Sequence, residues 1–229
     1  MDKYRQTFDT WNKLASSYQD KFMDLDLYDD TYDQFCSLIE KQDAAVFEIG
    51  CGPGNITRYL LSKRPDLKIE ATDVAPAMIE LAKINNPGVT FSVMDCREID
   101  ELDRTFDAIV CGFCMPYLSK EDCLKLIGDC SHLLNPGGIF YFSIIEDEYS
   151  KSGYQTSSNG EHSVFVYLHE AGYLLESVKE NKLELIALKR KTYSRGNGTV
   201  DTHAIFIARK NLLNTNRHQF TNWVCYTDS

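Results

Sequence analysis

Hydrophobic residues near the start of the chain recur three and four positions apart, which is the spacing of one face of an α-helix. The first series consists of Phe8, Trp11, Leu14, Ala15 and Tyr18. The same spacing returns over residues 28–39. We therefore expect residues 1–41 to form a helical segment ahead of the main domain.

From residue 44 onward, short apolar runs alternate with amphipathic stretches. This pattern predicts βαβ units and therefore a parallel sheet that helices cover on both faces. Ser119, followed by Asp122, resembles the capping signal at a helix start, and residues 135–138 (Asn-Pro-Gly-Gly) predict a turn before a strand. Strands are predicted at 44–49, 68–72, 89–94, 106–111 and 139–145, and helices at 56–61, 76–84 and 119–134.

The pattern changes after residue 146. Residues 149–160 are rich in Ser, Gly, Asn and Tyr and predict a mobile loop, which a helix over 164–180 should follow. An Asn-Gly turn within residues 194–198 predicts an antiparallel hairpin of strands 183–193 and 200–209. We expect the main domain to span 42–210, with 149–180 as a cover for the substrate and 211–229 as a tail of unassigned structure.

The charge balance limits the kinds of partner. The 229 residues include 24 Lys+Arg and 34 Asp+Glu, a net charge of −10. Binding along a nucleic-acid backbone requires clustered cations, so this balance disfavours a nucleic-acid partner. One local basic cluster exists, and we interpret it as a solvated strand end. Its members are Lys189, Arg190, Lys191 and Arg195.

The sequence also gives an expectation for the cellular compartment of the protein. No apolar run approaches the ~18 residues that span a bilayer, and the charged start leads into no apolar signal region. We therefore expect a cytoplasmic protein without a membrane partner. Its eight cysteines should then be mostly reduced thiols. The sequence is compatible with a homodimer.

The chemically most informative segment joins the first strand to the first helix of the main domain. It reads Glu48-x-Gly50-x-Gly52-x-Gly54. Glycines at this point permit a sharp turn and a close approach of the main chain to a ligand. Asp73 directly follows the second strand, where a carboxylate can accept hydrogen bonds from ribose hydroxyls. Together these features predict a nucleoside-containing ligand at the strand ends.

The glycine spacing discriminates between nucleoside ligands. A dinucleotide fingerprint requires a further glycine at position 55, where this chain has Asn55, which disfavours a nicotinamide dehydrogenase. The alternating glycines behind Glu48 instead resemble motif I of the class I S-adenosylmethionine-dependent methyltransferases. Four later segments are similar to that family in the same order. They are residues 72–78 (TDVAPAM, with Ala75 where Ser is common), 91–96 (FSVMDC), 106–111 (FDAIVC) and 134–138 (LNPGG).

This resemblance implies a Rossmann-like three-layer sandwich. Its seven-stranded, mostly parallel sheet would contain one antiparallel strand, and Leu14-Ala15-x-x-Tyr18 is similar to an aromatic N-terminal lid helix. The implied cofactor is S-adenosylmethionine, with Asp73 at the ribose, Val74 and Met78 against the adenine, and Asp95 at the adenine edge. The full set of implied cofactor residues is Tyr18, Glu48, Gly50, Cys51, Gly52, Gly54, Asp73, Val74, Met78, Asp95, Cys96, Cys111 and Phe113.

Each of these residues also has a structural interpretation. The glycines could form only a tight turn, Asp95 could cap the next turn, and Met78 could be core. Cys111 and Cys114 form a Cys-x-x-Cys pair, which can be a redox or metal site. However, no helix begins at the pair and no second ligand pair follows, so we expect no metal site.

The acceptor side of the site is less defined. Many family members have a histidine just after the fourth strand, where this chain has Met-Pro-Tyr at 115–117. Candidate bases are Tyr117, Glu146, Tyr154, His162 and His169, of which we favour Tyr117, Glu146 and His162. An amine that arrives deprotonated needs no base. Trp11, Tyr18, Phe22 and Tyr154 could form a lid over an apolar acceptor, and Trp11 and Phe22 could equally be ordinary core of the N-terminal helix.

These inferences lead to one expected function and three alternatives. We expect methyl transfer from S-adenosylmethionine to an N, O or other nucleophile of a small molecule by in-line displacement. The alternatives are methylation of RNA or protein, a cofactor-binding protein without turnover, and the disfavoured dehydrogenase.

Overall fold

The computed structural model describes residues 2–156, 160–195 and 198–212. The N-terminal segment contains α1 (Lys3–Lys13), α2 (Ala15–Phe22) and α3 (Asp29–Leu38). The remaining α-helices of the described chain are α4 (Asn55–Lys63), α5 (Pro76–Asn85), α6 (Lys120–Leu133) and α7 (Ala171–Glu180). The strands are β1 (Ala45–Ile49), β2 (Lys68–Asp73), β3 (Thr90–Val93), β4 (Phe106–Cys111), β5 (Leu134–Glu146), β6 (Gly153–Thr156), β7 (Ser163–Val166), β8 (Leu183–Ser194) and β9 (Val200–Lys210).

Seven strands form one sheet in the order β3-β2-β1-β4-β5-β9-β8. Neighbours from β3 to β5 are parallel, whereas β9 runs antiparallel to both β5 and β8. The five parallel strands, the terminal hairpin and the single reversed strand are therefore confirmed.

Side chains of successive strand residues point to opposite faces of this sheet, and a separate core lies on each face. Phe140 and Phe142 of β5 pack into one core with residues of α6 and α7, whereas Tyr141 between them packs into the other with residues of α3, α4 and α5. This arrangement confirms the three-layer sandwich.

Local signals set several element boundaries as expected. The Ser119 hydroxyl accepts a hydrogen bond from the Asp122 N–H at 3.2 Å and caps α6. Pro76 begins α5, where its missing N–H is harmless. The described residues include no helix that is both long and apolar enough to cross a membrane.

The predictions for two segments are wrong. Residues 149–156 are not a loop, since a 3-10 turn (Tyr149–Lys151) leads into β6, which pairs antiparallel with β7. The helix predicted from 164 begins only at Ala171, because the apolar residues at 164–166 belong to β7. The residues of β7 pack against α1. Such long-range contacts determine the strand conformation here, despite the helical spacing of the local sequence.

A third difference concerns residues 135–138, which lie within β5 rather than in a turn before it. The pairing of β5 with β4 shifts register there, so the Pro and Gly residues mark a bulge. The predicted tail lies mostly outside the described residues, as do positions 196–197 of the predicted turn.

Candidate functional site

The carboxyl ends of β1 and β4 lie side by side where the strand order reverses, which is the usual ligand position in an open α/β sheet. Two adjoining cavities occur there, a small one of about 80 Å³, here termed the inner cavity, and a large one of about 890 Å³, here termed the aromatic chamber. The residues that line both are Trp11, Tyr18, Phe113 and Tyr117.

The glycine loop after β1 forms one wall of the inner cavity. Gly50 and Gly52 adopt φ angles of +67° and +53°, which disfavour residues with a Cβ. A Cβ on Gly50 would lie 2.9 Å from the Cβ of Cys114, and one on Gly52 would lie 3.5 Å from Cε1 of Tyr18. Glycine is therefore required for the main chain to approach this cavity.

Asp73 faces the inner cavity from the end of β2. Its Oδ2 accepts the Gly52 N–H at 2.9 Å and its Oδ1 accepts the Ala75 N–H at 2.8 Å. Burial nevertheless raises the pKa of Asp73, partly offset by these bonds. A carboxylate has about four acceptor positions, so each oxygen keeps capacity for another hydroxyl.

The remaining walls combine apolar side chains with one further carboxylate. Val74, Met78, Asp95 and Cys96 all line the inner cavity, as expected. Asp95 caps the 3-10 turn Cys96–Glu101 and receives both Nε and Nη2 of Arg97. Asp95 therefore both caps the turn and forms part of the cavity wall.

Four of the implied cofactor residues do not line either cavity. Cys51 and Cys111 are buried in the two cores. A Cβ on Gly54 would lie 2.4 Å from the Asn86 side chain, so this glycine serves the packing of α4 against α5. Glu48 is fully buried, and its Oε2 accepts the Thr57 hydroxyl of α4. We therefore reassign these four residues to the support of the loop.

Glu48 lies in an unfavourable environment for a charge. Its Oε1 has no hydrogen-bond partner. Burial raises the pKa of Glu48 from 4.5 to about 8, although the Thr57 hydrogen bonds act in the opposite direction. Near neutral pH this side chain is therefore mainly protonated, and it holds the turn as a neutral acid.

Cys114 of the Cys-x-x-Cys pair lines the inner cavity, whereas Cys111 does not. The Cys114 thiol lies 3.6 Å from the Cys96 sulfur, not as a disulfide. The pKa of Cys96 is held well above its usual value by this contact and by burial. No metal-ligating cluster occurs among the described residues. The burial of Cys96 and Cys111 favours packing thiols.

We expect the double variant Cys111→Ser, Cys114→Ser to bind S-adenosylhomocysteine with a Kd within about threefold of wild type, which is under 1 kcal/mol. We expect this because the two cysteines contribute only main-chain groups and packing to the site. A serine hydroxyl buried at position 111 should separately lower folding stability by about 1–3 kcal/mol. Calorimetry gives the affinity, and elemental analysis gives the metal content. Loss of a bound metal, or of affinity in folded protein, would restore the metal or redox interpretation.

Aromatic side chains dominate the larger chamber. Trp11 packs edge-on against Tyr18 and Tyr117, with ring centroids 5.3 and 5.5 Å apart. Phe113 has a left-handed backbone (φ +58°), and its N–H donates to the Ser143 hydroxyl at 2.8 Å. The other aromatic lining residues are Phe22, Tyr28, Tyr32 and Tyr193. Residues of β6 and β7 close the chamber on another side.

The structure separates the candidate bases. Tyr117 lines both cavities and His162 lines the chamber, so both stay candidates. Glu146 does not line either cavity, because Arg190 binds both of its carboxylate oxygens, at 2.6 and 2.8 Å. It is therefore removed as a base.

His169 and Tyr154 also lie outside both cavities. His169 is fully buried, with Nδ1 against the Tyr173 hydroxyl and Nε2 3.1 Å from the Met115 carbonyl. Burial lowers its pKa to about 4. Tyr154 is half exposed and packs on Phe165. The lid interpretation therefore applies to Trp11, Tyr18 and Phe22 alone.

His203 is a chamber residue that the sequence analysis missed. It lies in β9, and its only sequence signal is a polar residue within the apolar run 203–208. The Nδ1 atom is 2.6 Å from the Tyr28 hydroxyl, whereas Nε2 is buried without a hydrogen-bond partner. Burial lowers the pKa of His203 to about 4, so the ring is neutral near neutral pH.

The basic cluster of β8 is neutralised by carboxylates. Asp30 pairs with Lys189 at 3.4 Å and with Lys191 at 2.6 Å. Arg190 pairs with Glu146, as described above, and Arg195 pairs with Asp201. The cluster is therefore a set of ion pairs rather than a free cationic surface.

Part of the chain is similar in sequence to known methyltransferases. Residues 46–138 match a family model described as a methyltransferase domain. The tRNA N(3)-methylcytidine methyltransferase trm141 of Schizosaccharomyces pombe is 25% identical over 170 residues, which cover 69% of this chain and 68% of that protein. A malonyl-[acyl-carrier protein] O-methyltransferase of Acetivibrio thermocellus is 37% identical over 75 residues, 32% of this chain and 26% of that protein. This chain thus spans only part of such relatives.

Solved structures agree with the fold. Magnesium protoporphyrin IX methyltransferase of Synechocystis PCC 6803, solved with bound S-adenosylmethionine, superposes with a TM-score of 0.68 at 13% identity, covering 92% of this chain and 98% of that one. At this identity the likeness concerns the fold alone. Together with the family match over residues 46–138 and the glycine motif, it supports a place for this chain in the class I S-adenosylmethionine-dependent methyltransferase superfamily.

Proposed function

We propose that the protein is an S-adenosylmethionine-dependent methyltransferase that acts on a small molecule. The observation that carries this proposal is the shared wall of the two cavities. A nucleoside-type cavity with a glycine loop and Asp73 adjoins a separate aromatic chamber, and four aromatic residues border both. Two adjoining compartments suit a reaction in which one group passes between two bound molecules.

The residues of the inner cavity fit the proposed cofactor in chemistry. Asp73 would hold the ribose hydroxyls, Val74 and Met78 would pack against the adenine, and Asp95 would bind its amino edge. The main chain at Gly50 and Gly52 would border the methionine portion, since a Cβ at Gly50 would fill the space toward Cys114.

S-adenosylmethionine, when bound, supplies an electrophilic methyl group on a positively charged sulfur. The chain must then align an acceptor and exclude water. Electron-rich faces of Trp11, Phe113 and Tyr117 suit a cation at the shared wall. The same rings present an apolar surface toward the chamber.

The volume of the inner cavity is below ~300 Å³, the lower end of the usual range for small-molecule binding pockets. Tyr18 of α2 lies over Gly52, and α1 and α2 both pack on α5. We infer that these two helices move outward when the cofactor enters. The N-terminal helices would then act as a lid, with β6 and β7 closing the other side of the chamber.

A thermal-shift measurement tests cofactor binding. S-adenosylhomocysteine at a hundred times its Kd should stabilise the fold by about 2.7 kcal/mol, which is ~5 to 10 °C in Tm for a chain of this size. NAD at the same concentration is the control and should give no shift. A response to NAD without one to S-adenosylmethionine or S-adenosylhomocysteine would overturn the assignment.

RNA methylation is a second candidate. Of the two relatives described above, the tRNA methyltransferase matches this chain over the longer stretch. The net charge of −10 and the carboxylate-paired cations of β8 favour the small molecule. A non-catalytic binding protein is a third candidate, which transfer of a labelled methyl group to any acceptor would exclude.

A further inference from the structure

We propose that His203 is the group that binds the acceptor in the aromatic chamber and accepts its proton, and that the acceptor is a flat, largely apolar molecule with a weakly acidic hydroxyl. This inference rests on the proposed function. It assigns the polar contact of the acceptor to the reversed strand β9.

The environment of His203 supports a role in ligand binding. The residue is 6% exposed and lines the chamber, yet its Nε2 has no hydrogen-bond partner. A buried polar atom without a partner is destabilising, because its lost hydrogen bonds to water are not replaced. A ligand hydroxyl in the chamber would supply the missing partner.

The ring is held in place by its neighbours. It stacks on Tyr193 with centroids 5.1 Å apart at 15°, and Phe113 lies 5.0 Å away. The Tyr28 hydroxyl fixes Nδ1. Because Phe113 also borders the inner cavity, only one aromatic side chain separates His203 from that cavity.

The hydrogen-bond partners favour one tautomer. Buried N–H groups without an acceptor are rarer than unpaired lone pairs. A hydrogen on Nδ1 can bond Tyr28 Oη at 2.6 Å, whereas the nearest carboxylate oxygen to Nε2, on Asp201, is 4.0 Å away. The structure therefore assigns the hydrogen to Nδ1 and leaves an unpaired lone pair on Nε2 of a residue that lines the chamber.

The proposed step balances in atoms and charge. The acceptor oxygen forms a bond to the methyl carbon as the methyl–sulfur bond breaks, and that electron pair stays on sulfur. The hydroxyl proton passes to His203 Nε2. The positive charge thus moves from sulfur to the imidazole, where the Asp201 carboxylate lies on the same strand face two residues away.

The charged and titratable groups around His203 come from three elements. Asp201 belongs to β9 itself, Tyr193 and Arg195 belong to β8 and the residue after it, and Tyr28 precedes α3. Arg195 is bound to Asp201. The imidazole therefore contacts two phenols and lies near the Asp201–Arg195 ion pair, and Lys191 stands opposite His203 in the β8–β9 pairing.

The chamber chemistry defines the acceptor. Eight aromatic residues line it, and flat rings stack on such surfaces. A neutral imidazole lone pair selects a hydroxyl donor over a carboxylate, which carries no hydrogen to donate. Umbelliferone, a fluorescent hydroxycoumarin, fits this description, and its methyl ether herniarin lacks only the hydroxyl hydrogen.

The first experiment measures binding of both probes to protein saturated with S-adenosylhomocysteine, at a pH where umbelliferone keeps its proton. Wild type should bind umbelliferone about tenfold or more tightly than herniarin, the scale of one hydrogen bond to a buried polar atom. His203→Asn keeps an amide near Tyr28 but removes the nitrogen at the Nε2 position, so the preference should vanish. Equal binding of the two probes by wild type, or no binding of either, would overturn the proposal.

The second experiment separates binding from proton transfer. His203→Gln places an amide oxygen near the Nε2 position, so umbelliferone should still bind within about threefold of wild type. Labelled methyl transfer to umbelliferone should fall about 100-fold or more, because an amide cannot act as a base. A variant with wild-type turnover would contradict the role of base.

Two further variants keep the test interpretable. Tyr28→Phe removes the partner of Nδ1 and should lower turnover about tenfold with an unchanged Kd for S-adenosylhomocysteine; full turnover would contradict the tautomer. His132→Gln, on the exposed side of α6, should match wild type. Failure of wild type to bind S-adenosylhomocysteine, or methylation of tRNA alone, defeats the proposed function, whereas S-adenosylhomocysteine binding without a preference for umbelliferone over herniarin defeats only this inference.

Discussion

Replacement of Asp73 by alanine should weaken S-adenosylhomocysteine binding by about 10- to 150-fold, or ~1.5 to 3 kcal/mol, the cost of hydrogen bonds to a buried charged group. The ribose hydroxyls lose their acceptor in this variant. The Gly52 N–H also loses its partner at 2.9 Å, so the glycine loop loses an anchor. Isothermal calorimetry measures the affinity directly.

Asp107→Ala is the matched control for this experiment. Asp107 also accepts a main-chain N–H, that of Ala45 at 2.9 Å, but it lies near the start of β4, at the opposite end of the strand from the cavities. The control should lose folding stability and retain its affinity. Unchanged affinity in a folded Asp73→Ala variant would remove Asp73 from the site.

Replacement of Glu48 by glutamine should stabilise the ligand-free protein at alkaline pH by about 1–4 kcal/mol. The folded pKa of about 8 exceeds the usual value of 4.5. A raised folded pKa contributes stability that is fully present below about pH 4.5 and is lost as pH rises to about 8. Glutamine mimics the protonated acid and carries no such penalty.

Denaturant unfolding at about pH 5 and about pH 8 tests this pH dependence. The two proteins should have similar stability at the lower pH and diverge as pH rises. Glu80→Gln, on the exposed face of α5, is the control and should show no divergence. Parallel stability curves for wild type and Glu48→Gln would show that Glu48 is not a buried neutral acid.

Sequence patterns predicted the parallel part of the fold because its signals are local. Apolar runs marked β1, β2 and β4 within one or two residues, and Ser119 and Pro76 marked helix starts. Residues 149–156 and 164–170 were predicted wrongly for the converse reason. β7 owes its conformation to pairing with β6 and to packing on α1, and neither contact is encoded in its own periodicity.

The residues of the candidate site can likewise be separated into those that local sequence predicts and those that it does not. Strand order brings together Gly50, Gly52 and Asp73, because the glycines lie in the loop after β1 and Asp73 ends β2. Neighbouring parallel strands end at the same edge of the sheet. Side-chain direction decided the rest. Glu48 points beneath the loop to Thr57, and Glu146 turns to Arg190, 44 residues away. No spacing rule predicts such pairings.

The sequence by itself determined the alternation of strands and helices, the glycine loop and the acid after β2, since these depend on neighbours within a few residues. Only the tertiary structure decided which polar side chains border the two cavities. His203 and Tyr28 are 175 residues apart and meet only because β9 inserts beside β5. Their hydrogen bond, and the unpaired nitrogen that it leaves, exist only after the sheet has assembled.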